Sequence, residues 1–341
     1  MENGELHYTH CVMEMQEYVS LKGKTTMRIG GTARYYAELK TKDDIEAAVA
    51  FATKHTLPLI VLGGGSNTIF ADGEINALVV RMMASNIATH QPSNIATSQH
   101  SNVATVTVEA GKNLPQLINE LAEQGLDLSP LTGILGTAGG AVFGNAGQGP
   151  KGIWIDTFVE SVDAYVDGIW KTLSKEECKF RYRESIFKHW ITEFAIRNSC
   201  LAGLRLRGRS DSRSRQAQFA ISPVIWSVTL MIPKGDPSVI KAEIERLLQK
   251  RIETQPHAKT AGSCFKAVGD TPAWQLIDAA GLRDTVSGGV HISEKHANFL
   301  INDGEGSFHD AVNVVRTIEE GIGEGLQVEM RFVKEDGTLE F

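Results

Sequence analysis

Residues 133–149 read Gly-Ile-Leu-Gly-Thr-Ala-Gly-Gly-Ala-Val-Phe-Gly-Asn-Ala-Gly-Gln-Gly, a stretch with seven glycines and no charged side chain. Glycine inside an element costs about 0.5–1 kcal/mol relative to alanine, so this many glycines need a compensating structural reason. One reason is a tight buried turn packed against the protein's own sheet, and the other is a backbone wall against a flat ligand. The stretch by itself favours neither.

A second glycine-rich segment, Gly63-Gly64-Gly65-Ser66-Asn67, follows the apolar residues 59–62, which predict a short strand. Such a loop can direct several backbone N–H groups and two side chains at one anion. A Rossmann or P-loop site would open a helix at this point, but residues 68–73 predict another strand and a turn, and no Gly-Lys-Ser/Thr is present. The sequence therefore predicts a phosphate-binding nest between strands, with a glycine-rich hairpin that binds nothing as the alternative.

Length and composition exclude several classes of protein. A chain of 341 residues predicts two or three domains, and a formal net charge of −7 argues against a general nucleic-acid or membrane-surface binder. The four cysteines form no Cys-x-x-Cys pair, which predicts a reducing cytoplasm and no zinc site. His291 and His296 stand five apart without an accompanying carboxylate pattern, so no metal site is expected. Neither a signal peptide nor a membrane-spanning stretch is recognisable.

The apolar pattern predicts a mixture of strands and helices after a lead-in, residues 1–20, that shows no periodicity. Strands are predicted within residues 25–38, 59–62, 68–73, 105–109, 158–173, 224–231 and 327–333. Helices are predicted after the capping residues Thr41, Asn113 and Ser307, and over residues 238–253 and 271–281. The inward side chains of the helix 238–253 are predicted to be Ile240, Ile244, Leu247 and Leu248.

Two segments are predicted to be insertions. Residues 85–105 contain a tandem octapeptide that begins Ser-Asn-Ile-Ala-Thr, and its small polar composition predicts a lengthened surface hairpin. Residues 197–220 are rich in arginine. Because no aromatic side chains interleave with these arginines and the whole chain is acidic, we expect a solvated insertion and not a nucleic-acid patch.

Seven motifs occur in a fixed order between residues 25 and 333. They are Thr-Met-Arg-Ile-Gly-Gly-Thr-Ala, Leu-Gly-Gly-Gly-Ser-Asn, Gly-Thr-Ala-Gly-Gly-Ala-Val-x-Gly-Asn-Ala-Gly, Tyr-Arg-x-Ser-x-Phe-Lys, Ala-Gly-Ser-x-Phe-Lys, Lys-His-Ala-Asn-Phe-Leu-Ile-Asn and Glu-x-Arg-Phe. Each alone is weakly specific. Together and in this order they resemble the UDP-N-acetylenolpyruvoylglucosamine reductase family, the MurB flavoenzymes of peptidoglycan precursor synthesis.

The resemblance implies an α+β fold with a two-subdomain FAD-binding part of the vanillyl-alcohol-oxidase/PCMH type and a smaller substrate-binding domain. The implied ranges are FAD-binding subdomain 1 at 1–73, subdomain 2 at 74–233, the substrate-binding domain at 234–326, and a C-terminal strand and tail at 327–341. The short interval from Ser263 to Glu329 resembles the family's shorter type, without the long tyrosine-bearing loop. A cytoplasmic location is implied, and the oligomeric state is left open, with a monomer compatible.

The resemblance also implies a reaction. NADPH would reduce FAD, and the hydride would pass from flavin N5 to C3 of the enolpyruvyl ether of a UDP-sugar, giving UDP-N-acetylmuramate. Arg183 would supply positive charge, Glu329 would assist polarisation, and Ser263 would protonate C2. The substrate would be held by Tyr182, Lys266, His296 and Asn298. The implied cofactor contacts are Gly63, Gly64, Gly65, Ser66, Asn67, Gly133, Gly136, Thr137, Gly139, Gly140, Asn145 and Gly147.

The chain departs from the family pattern at two places. Ala267-Val268 replaces the Asn-Pro that often follows Phe-Lys, and Gln148 stands near the position of a frequent aromatic. The three implied catalytic positions are unaltered. Another FAD-dependent oxidoreductase of the same fold and a non-enzymatic FAD-binding protein are the alternatives.

Overall fold

The computed structural model describes residues 13–90, 102–149, 152–190 and 221–341. A first sheet has the strand order β1-β2-β5-β3, where β1 pairs antiparallel with β2 and the other neighbours are parallel. Its strands are β1 (Met15–Ser20), β2 (Thr32–Leu39), β3 (Leu59–Leu62) and β5 (Glu74–Met82). Helix α1 (Lys42–His55) connects β2 to β3 and begins at the predicted cap, where Thr41 and Asp44 form a capping box.

The prediction that residues 1–20 form a loose lead-in was wrong for β1. This strand pairs with β2 from Met15 opposite Ala37 to Ser20 opposite Thr32. It lies at the edge of the sheet and most of its side chains are exposed, so its sequence lacks the alternation that reveals a half-buried strand. Residues 1–12 lie outside the described part of the chain.

A second sheet is antiparallel throughout, with the order β6-β7-β10-β8-β9. Its strands are β6 (Ile87–His90), β7 (Val103–Glu109), β8 (Val159–Val166), β9 (Ile169–Ser174) and β10 (Val224–Pro233). The predicted turn at Asp167-Gly168 is confirmed, because both residues have the positive φ that a two-residue hairpin loop requires. The paired strands β6 and β7 flank the repeat insertion, whose residues 91–101 are not described, and residues 197–220 fall within the undescribed range 191–220.

Helices of the described residues pack on or beside this second sheet. Helix α2 (Leu114–Glu123) is capped by Asn113 and buries its predicted apolar face. Helix α3 (Ala138–Gly144) lies inside the glycine-rich stretch and was not predicted. Helix α4 (Pro237–Thr254) is capped by Asp236, and Ile240 and Ile244 join the core of the sheet as predicted. Leu248 was predicted to face inward as well, but it is 44% exposed.

The remaining residues build a third sheet, β11 (Val286–Ser287), β12 (Val290–Ile292) and β13 (Leu300–Asn302). It packs with α5 (Ala273–Ala279) and α6 (Phe308–Ile322), which begins at the predicted cap Ser307. The last strand, β14 (Arg331–Val333), does not join this sheet. It pairs in parallel with β4 (Thr68–Phe70), which directly follows the glycine-rich segment 63–67. The four domain ranges stay a prediction.

Two observations bear on membranes and metals. Throughout the described ranges, no helix is both long and apolar enough to cross a bilayer. In the same ranges, no three His, Cys, Asp or Glu side chains are grouped so that they could hold a metal ion.

Candidate active site

A cavity of about 650 Å³ lies where the two glycine-rich segments meet α4 and parts of the segments 260–274 and 296–299. Most of the residues singled out by sequence line it. They are Gly63, Gly64, Gly65, Ser66, Asn67, Gly133, Gly136, Thr137, Gly139, Gly140, Gly147, Tyr182, Arg183, Ser263, His296, Asn298 and Glu329. The two that do not line it are Asn145 and Lys266.

The two glycine-rich segments pack directly on each other. A Cβ added to Gly64 would lie 2.6 Å from the Cα of Gly136, and Ser66 Oγ donates a hydrogen bond to the Leu135 carbonyl at 3.0 Å. Gly65 has a φ of +69°, and a Cβ there would overlap the Lys24 carbonyl. At Gly64 and Gly65 a side chain is therefore sterically excluded. These segments pack on the protein's own backbone, as the first alternative predicts, and they also border the cavity.

Asn145 supports the site from behind. This residue is buried, ends α3 in a left-handed conformation, and donates from Nδ2 to the Arg181 carbonyl at 2.9 Å. Its Oδ1 accepts from the Asp156 backbone N–H at 3.3 Å. Both ends of the amide are therefore engaged within the protein.

Arg183 and Glu329 form a pair at the cavity wall. Arg183 Nε lies 3.1 Å from Glu329 Oε1, and the two side chains are 16% and 12% exposed. The N–H does not point along this line, so within the described residues Arg183 Nε is a buried donor without a hydrogen-bond acceptor. A buried donor of this kind is costly unless a ligand supplies the acceptor.

Burial raises the pKa of Glu329 above its ordinary value, against the lowering effect of the cations Arg183, Lys188 and Lys266. The backbone of Glu329 ties three parts of the site together. Its N–H donates to the Cys264 carbonyl at 2.7 Å, and its carbonyl accepts from Asn67 Nδ2 at 3.2 Å.

Ser263 lies on a segment that Asn298 holds in place. Asn298 Oδ1 accepts from the Phe265 N–H, and Asn298 Nδ2 donates to the Phe265 carbonyl, both at 2.9 Å. The Asn298 carbonyl also accepts from the Cys264 N–H at 2.9 Å. Although Asn298 lines the cavity, its side-chain amide is occupied by hydrogen bonds to the segment that carries Ser263.

Of the other three predicted substrate contacts, Lys266 lies away from the cavity, whereas Tyr182 and His296 line it. Lys266 pairs with Glu184 and donates to Gln327 Oε1 at 3.4 Å, away from the cavity. Tyr182 reaches the cavity, and its hydroxyl accepts from the Ala267 N–H at 3.3 Å. His296 lies edge-on to the ring of Phe299, and burial lowers its pKa below its ordinary value. A neutral imidazole is therefore favoured there.

Sequence reasoning missed several residues of the cavity wall, of which Arg331 is the most notable. Burial lowers its pKa to about 10, its Nη1 lies 3.5 Å from the Val61 carbonyl, and its guanidinium stacks 5.2 Å from the centre of the Phe143 ring. No carboxylate pairs with it among the described ion pairs. In the predicted strand 327–333 a period of two would place Glu329 and Arg331 on one face, which was the available signal, although the strand itself begins only at Arg331. Other missed residues are Lys188, Leu247, Leu248, Lys250, Arg251 and Trp274.

The residues present fit a bound flavin dinucleotide. A backbone wall that excludes side chains suits a flat ring, and consecutive N–H groups suit a pyrophosphate. The unsatisfied Arg183 Nε and the buried Arg331 guanidinium provide donors and positive charge where an anionic ligand would lie.

Comparison with known proteins agrees with this geometry. Residues 255–332 match the family described as UDP-N-acetylenolpyruvoylglucosamine reductase, C-terminal domain, and residues 33–166 match the FAD binding domain family. The reductase of Trichormus variabilis is 31% identical over 93% of this chain and 83% of its own length. That of Carboxydothermus hydrogenoformans is 30% identical over 90% of this chain and 88% of its own length.

A solved structure, the MurB reductase of Thermus caldophilus, superimposes with a TM-score of 0.69 at 26% identity, covering 94% of this chain and 99% of that one. The predicted α+β fold with an FAD-binding part of the vanillyl-alcohol-oxidase/PCMH type is confirmed. Three observations support the same family. They are the glycine-lined cavity, the match of residues 255–332 to the reductase C-terminal domain, and relatives that are similar over most of the chain. This chain belongs to the UDP-N-acetylenolpyruvoylglucosamine reductase family.

Proposed function

We propose residue roles for the reaction of this chain, an FAD-dependent UDP-N-acetylenolpyruvoylglucosamine reductase of peptidoglycan precursor synthesis. Its substrate is an enolpyruvyl ether and its product is UDP-N-acetylmuramate. When bound, FAD would supply the hydride-transfer chemistry that connects NADPH to C3 of the enolpyruvyl group. The observation that supports these roles is one cavity lined by both glycine-rich segments together with Arg183, Ser263 and Glu329.

The cofactor is held mainly by backbone. Residues 63–67 would hold the pyrophosphate through backbone N–H groups and the second Nδ2–H of Asn67, since the Ser66 hydroxyl proton is donated to the Leu135 carbonyl, and the cavity-lining glycines of residues 133–147 would border the ring. Asn145 contributes indirectly, by fixing the carbonyl of Arg181 at the start of the loop that carries Arg183.

Reduction at C3 leaves negative charge on the carboxylate side of the substrate and a carbanion at C2. Arg183 stabilises the developing charge with its free Nε–H, and Glu329 fixes the orientation of that guanidinium from 3.1 Å. Ser263 donates its hydroxyl proton to C2. A hydroxyl is a weak acid, so it serves here only because the carbanion is strongly basic.

Tyr182 and His296 border the substrate part of the cavity. Because His296 Nδ1 accepts from the Asn298 N–H at 3.2 Å, the neutral imidazole carries its proton on Nε2 and can donate it in a hydrogen bond. Lys266 contributes indirectly, by its ion pair with Glu184 in the loop that carries Arg183. Asn298 contributes by holding the segment that carries Ser263. The proposal places the enzyme in the cytoplasm, as the cysteine usage predicts, with small molecules and no nucleic acid as partners.

The purified protein is expected to be yellow, and NADPH should bleach its flavin absorbance under anaerobic conditions. Addition of UDP-N-acetylglucosamine enolpyruvate should then restore the colour, which stopped-flow absorbance at the flavin bands measures. A colourless protein that cannot be reconstituted with FAD would refute the function. Reoxidation by oxygen that outpaces reoxidation by the UDP substrate would point to an oxidase instead.

Substrate binding to the oxidised enzyme is expected to take up a proton. Burial already raises the pKa of Glu329, and a second carboxylate placed beside it raises this pKa further, so the complex retains a proton that the free enzyme releases. Calorimetric titrations near pH 6 in two buffers of different ionisation enthalpy measure this uptake.

Glu329→Gln should abolish the proton uptake, whereas Glu38→Gln, outside the cavity, is the matched control. Burial acts to raise the pKa of Glu38, but hydrogen bonds from Tyr36 and Lys24 lower this pKa below its ordinary value, so the Glu38 carboxylate is already ionised. Uptake that persists in Glu329→Gln, or proton release on binding, would contradict the assignment.

A further inference from the structure

Lys188 borders the cavity but takes no direct part in the proposed reaction. Its Nζ donates to the Arg183 carbonyl at 2.6 Å. Burial lowers the pKa of Lys188, an effect that Glu184 opposes and that Lys266 reinforces. A lysine ammonium is usually kept in water, so a lysine turned inward onto a backbone carbonyl suggests a specific task.

The carbonyl that Lys188 binds belongs to a residue in an unusual conformation. Arg183 has a φ of +58°, the left-handed region that glycine and asparagine adopt most readily. It lies at the tip of a two-residue loop, closed by backbone hydrogen bonds of 3.0 Å between Arg181 and Glu184 in both directions. A type II turn needs a positive φ at its second central residue, and arginine occupies that place here.

Strained backbone of this kind persists only where surrounding contacts determine it. The base of the loop has such contacts, since Asn145 Nδ2 binds the Arg181 carbonyl at 2.9 Å and Ser185 Oγ binds the Phe143 carbonyl at 2.6 Å. At the tip, the hydrogen bond on the Arg183 carbonyl comes from Lys188. Lys188 itself is fixed by its neighbour Phe187, which is fully buried.

We propose that Lys188 is a positioning residue that holds Arg183 in its left-handed conformation and so aims the guanidinium at Glu329 and the substrate carboxylate. This inference rests on the proposed role of Arg183. The Lys188 bond to the Arg183 carbonyl and the bond from the Glu184 N–H to the Arg181 carbonyl together fix the peptide plane that follows Arg183, and the rotation of the Arg183 Cα relative to this plane sets the direction of the side chain. A different plane would turn the guanidinium away from the cavity.

A direct contact between Lys188 and an anionic ligand is the competing explanation, because the side chain also borders the cavity. The two explanations differ in how Lys188 combines with Arg183. A residue that acts only through Arg183 loses its effect once the Arg183 side chain is gone, whereas a ligand contact does not.

The test begins with Lys188→Met, which keeps the length of the side chain and removes the donor. We expect reoxidation of the reduced flavin by the UDP substrate to slow by about 10- to 100-fold, because a catalytic group that is displaced by about 1 Å can lose about that much rate. The rate of flavin reduction by NADPH should stay within about 3-fold of the wild-type rate. Lys188→Arg, which restores a donor, should recover part of the rate. Lys112→Met is the matched control, because Lys112 is 13% exposed and pairs with Glu120 instead.

In an Arg183→Ala background, Lys188→Met should change reoxidation by less than about 2-fold. A further loss of about 10-fold or more in that background would overturn the proposal in favour of a ligand contact. A Lys188→Met protein that loses its flavin or its fold would overturn it too, since Lys188 would then serve the fold as a whole.

A crystal structure of Lys188→Met provides a readout that does not depend on turnover. Residue 183 should leave the left-handed region, and its Nε should move away from Glu329 Oε1. An unchanged residue 183 would overturn the proposal. If the wild-type enzyme failed to use the UDP substrate, the proposed function would fall, while this structural comparison would still decide the role of Lys188.

Discussion

Replacing Ser263 by alanine is expected to slow flavin reoxidation by the UDP substrate by about 10²- to 10⁴-fold, the range for loss of a positioned acid. Reduction of the flavin by NADPH should change by less than about 3-fold, because that step needs no proton at substrate C2. Among the hydrogen bonds of the described residues none involves Ser263 Oγ, and Asn298 holds the segment through backbone. The substitution therefore removes the proton donor and leaves the segment that carries residue 263 in place.

Anaerobic stopped-flow absorbance separates the two half-reactions. A solvent deuterium isotope effect on reoxidation in the wild type should disappear or change in Ser263→Ala, because a different group then supplies the proton. Ser161→Ala, on β8 and outside the cavity, is the control and should match the wild type in both halves. Equal losses in the two half-reactions would refute the role of Ser263 as proton donor.

Replacing Gly64 by alanine is expected to weaken FAD binding by about 5- to 150-fold, which corresponds to the cost of about 1–3 kcal/mol for overpacking a tight contact. The added Cβ would lie 2.6 Å from the Gly136 Cα, and neither partner is a flexible side-chain end. The two glycine-rich segments must move apart. Because both border the flavin site, the cofactor loses its fitted wall on both sides.

Titration of the apoprotein with FAD, followed by quenching of flavin fluorescence, measures this effect. Gly23→Ala is the matched control, since the nearest atom to its added Cβ is Arg28 Nη1 at 3.9 Å. Its affinity for FAD should equal that of the wild type. An unchanged affinity in Gly64→Ala would show that the two segments do not jointly shape the flavin site.

Local chemistry explains why many elements were predictable from the sequence. The caps at Thr41, Asn113 and Ser307 begin helices because each side chain accepts a backbone N–H of the first turn, an interaction within four residues. The Asp167-Gly168 turn is equally local. Helix α3 was missed because glycine disfavours helix, and packing against the neighbouring segment overrides that preference.

The site was predictable where a motif puts residues on the cavity wall, and less so where partners come from afar. Lys266 was expected to hold the substrate, but it pairs with Glu184, which stands 82 residues earlier in the chain. Asn145 and Asn298 have amides that bind backbone, which no spacing rule reveals. Leu248 was expected in a core, but α4 is partly uncovered where it borders the cavity, so this leucine is exposed.

The pairing of β14 with β4 has a consequence for the synthesis of the protein. Asn67 and Glu329, which this pairing brings into contact, are 262 residues apart in the chain. At about 5–20 residues per second, a ribosome needs roughly 13 to 50 s to cover that interval. During this time β4, whose three residues are all buried in the finished protein, has no partner on the side that β14 will occupy. The nascent chain therefore carries an open apolar strand edge until β14 has been synthesised, and such an edge is exposed to aggregation during this interval.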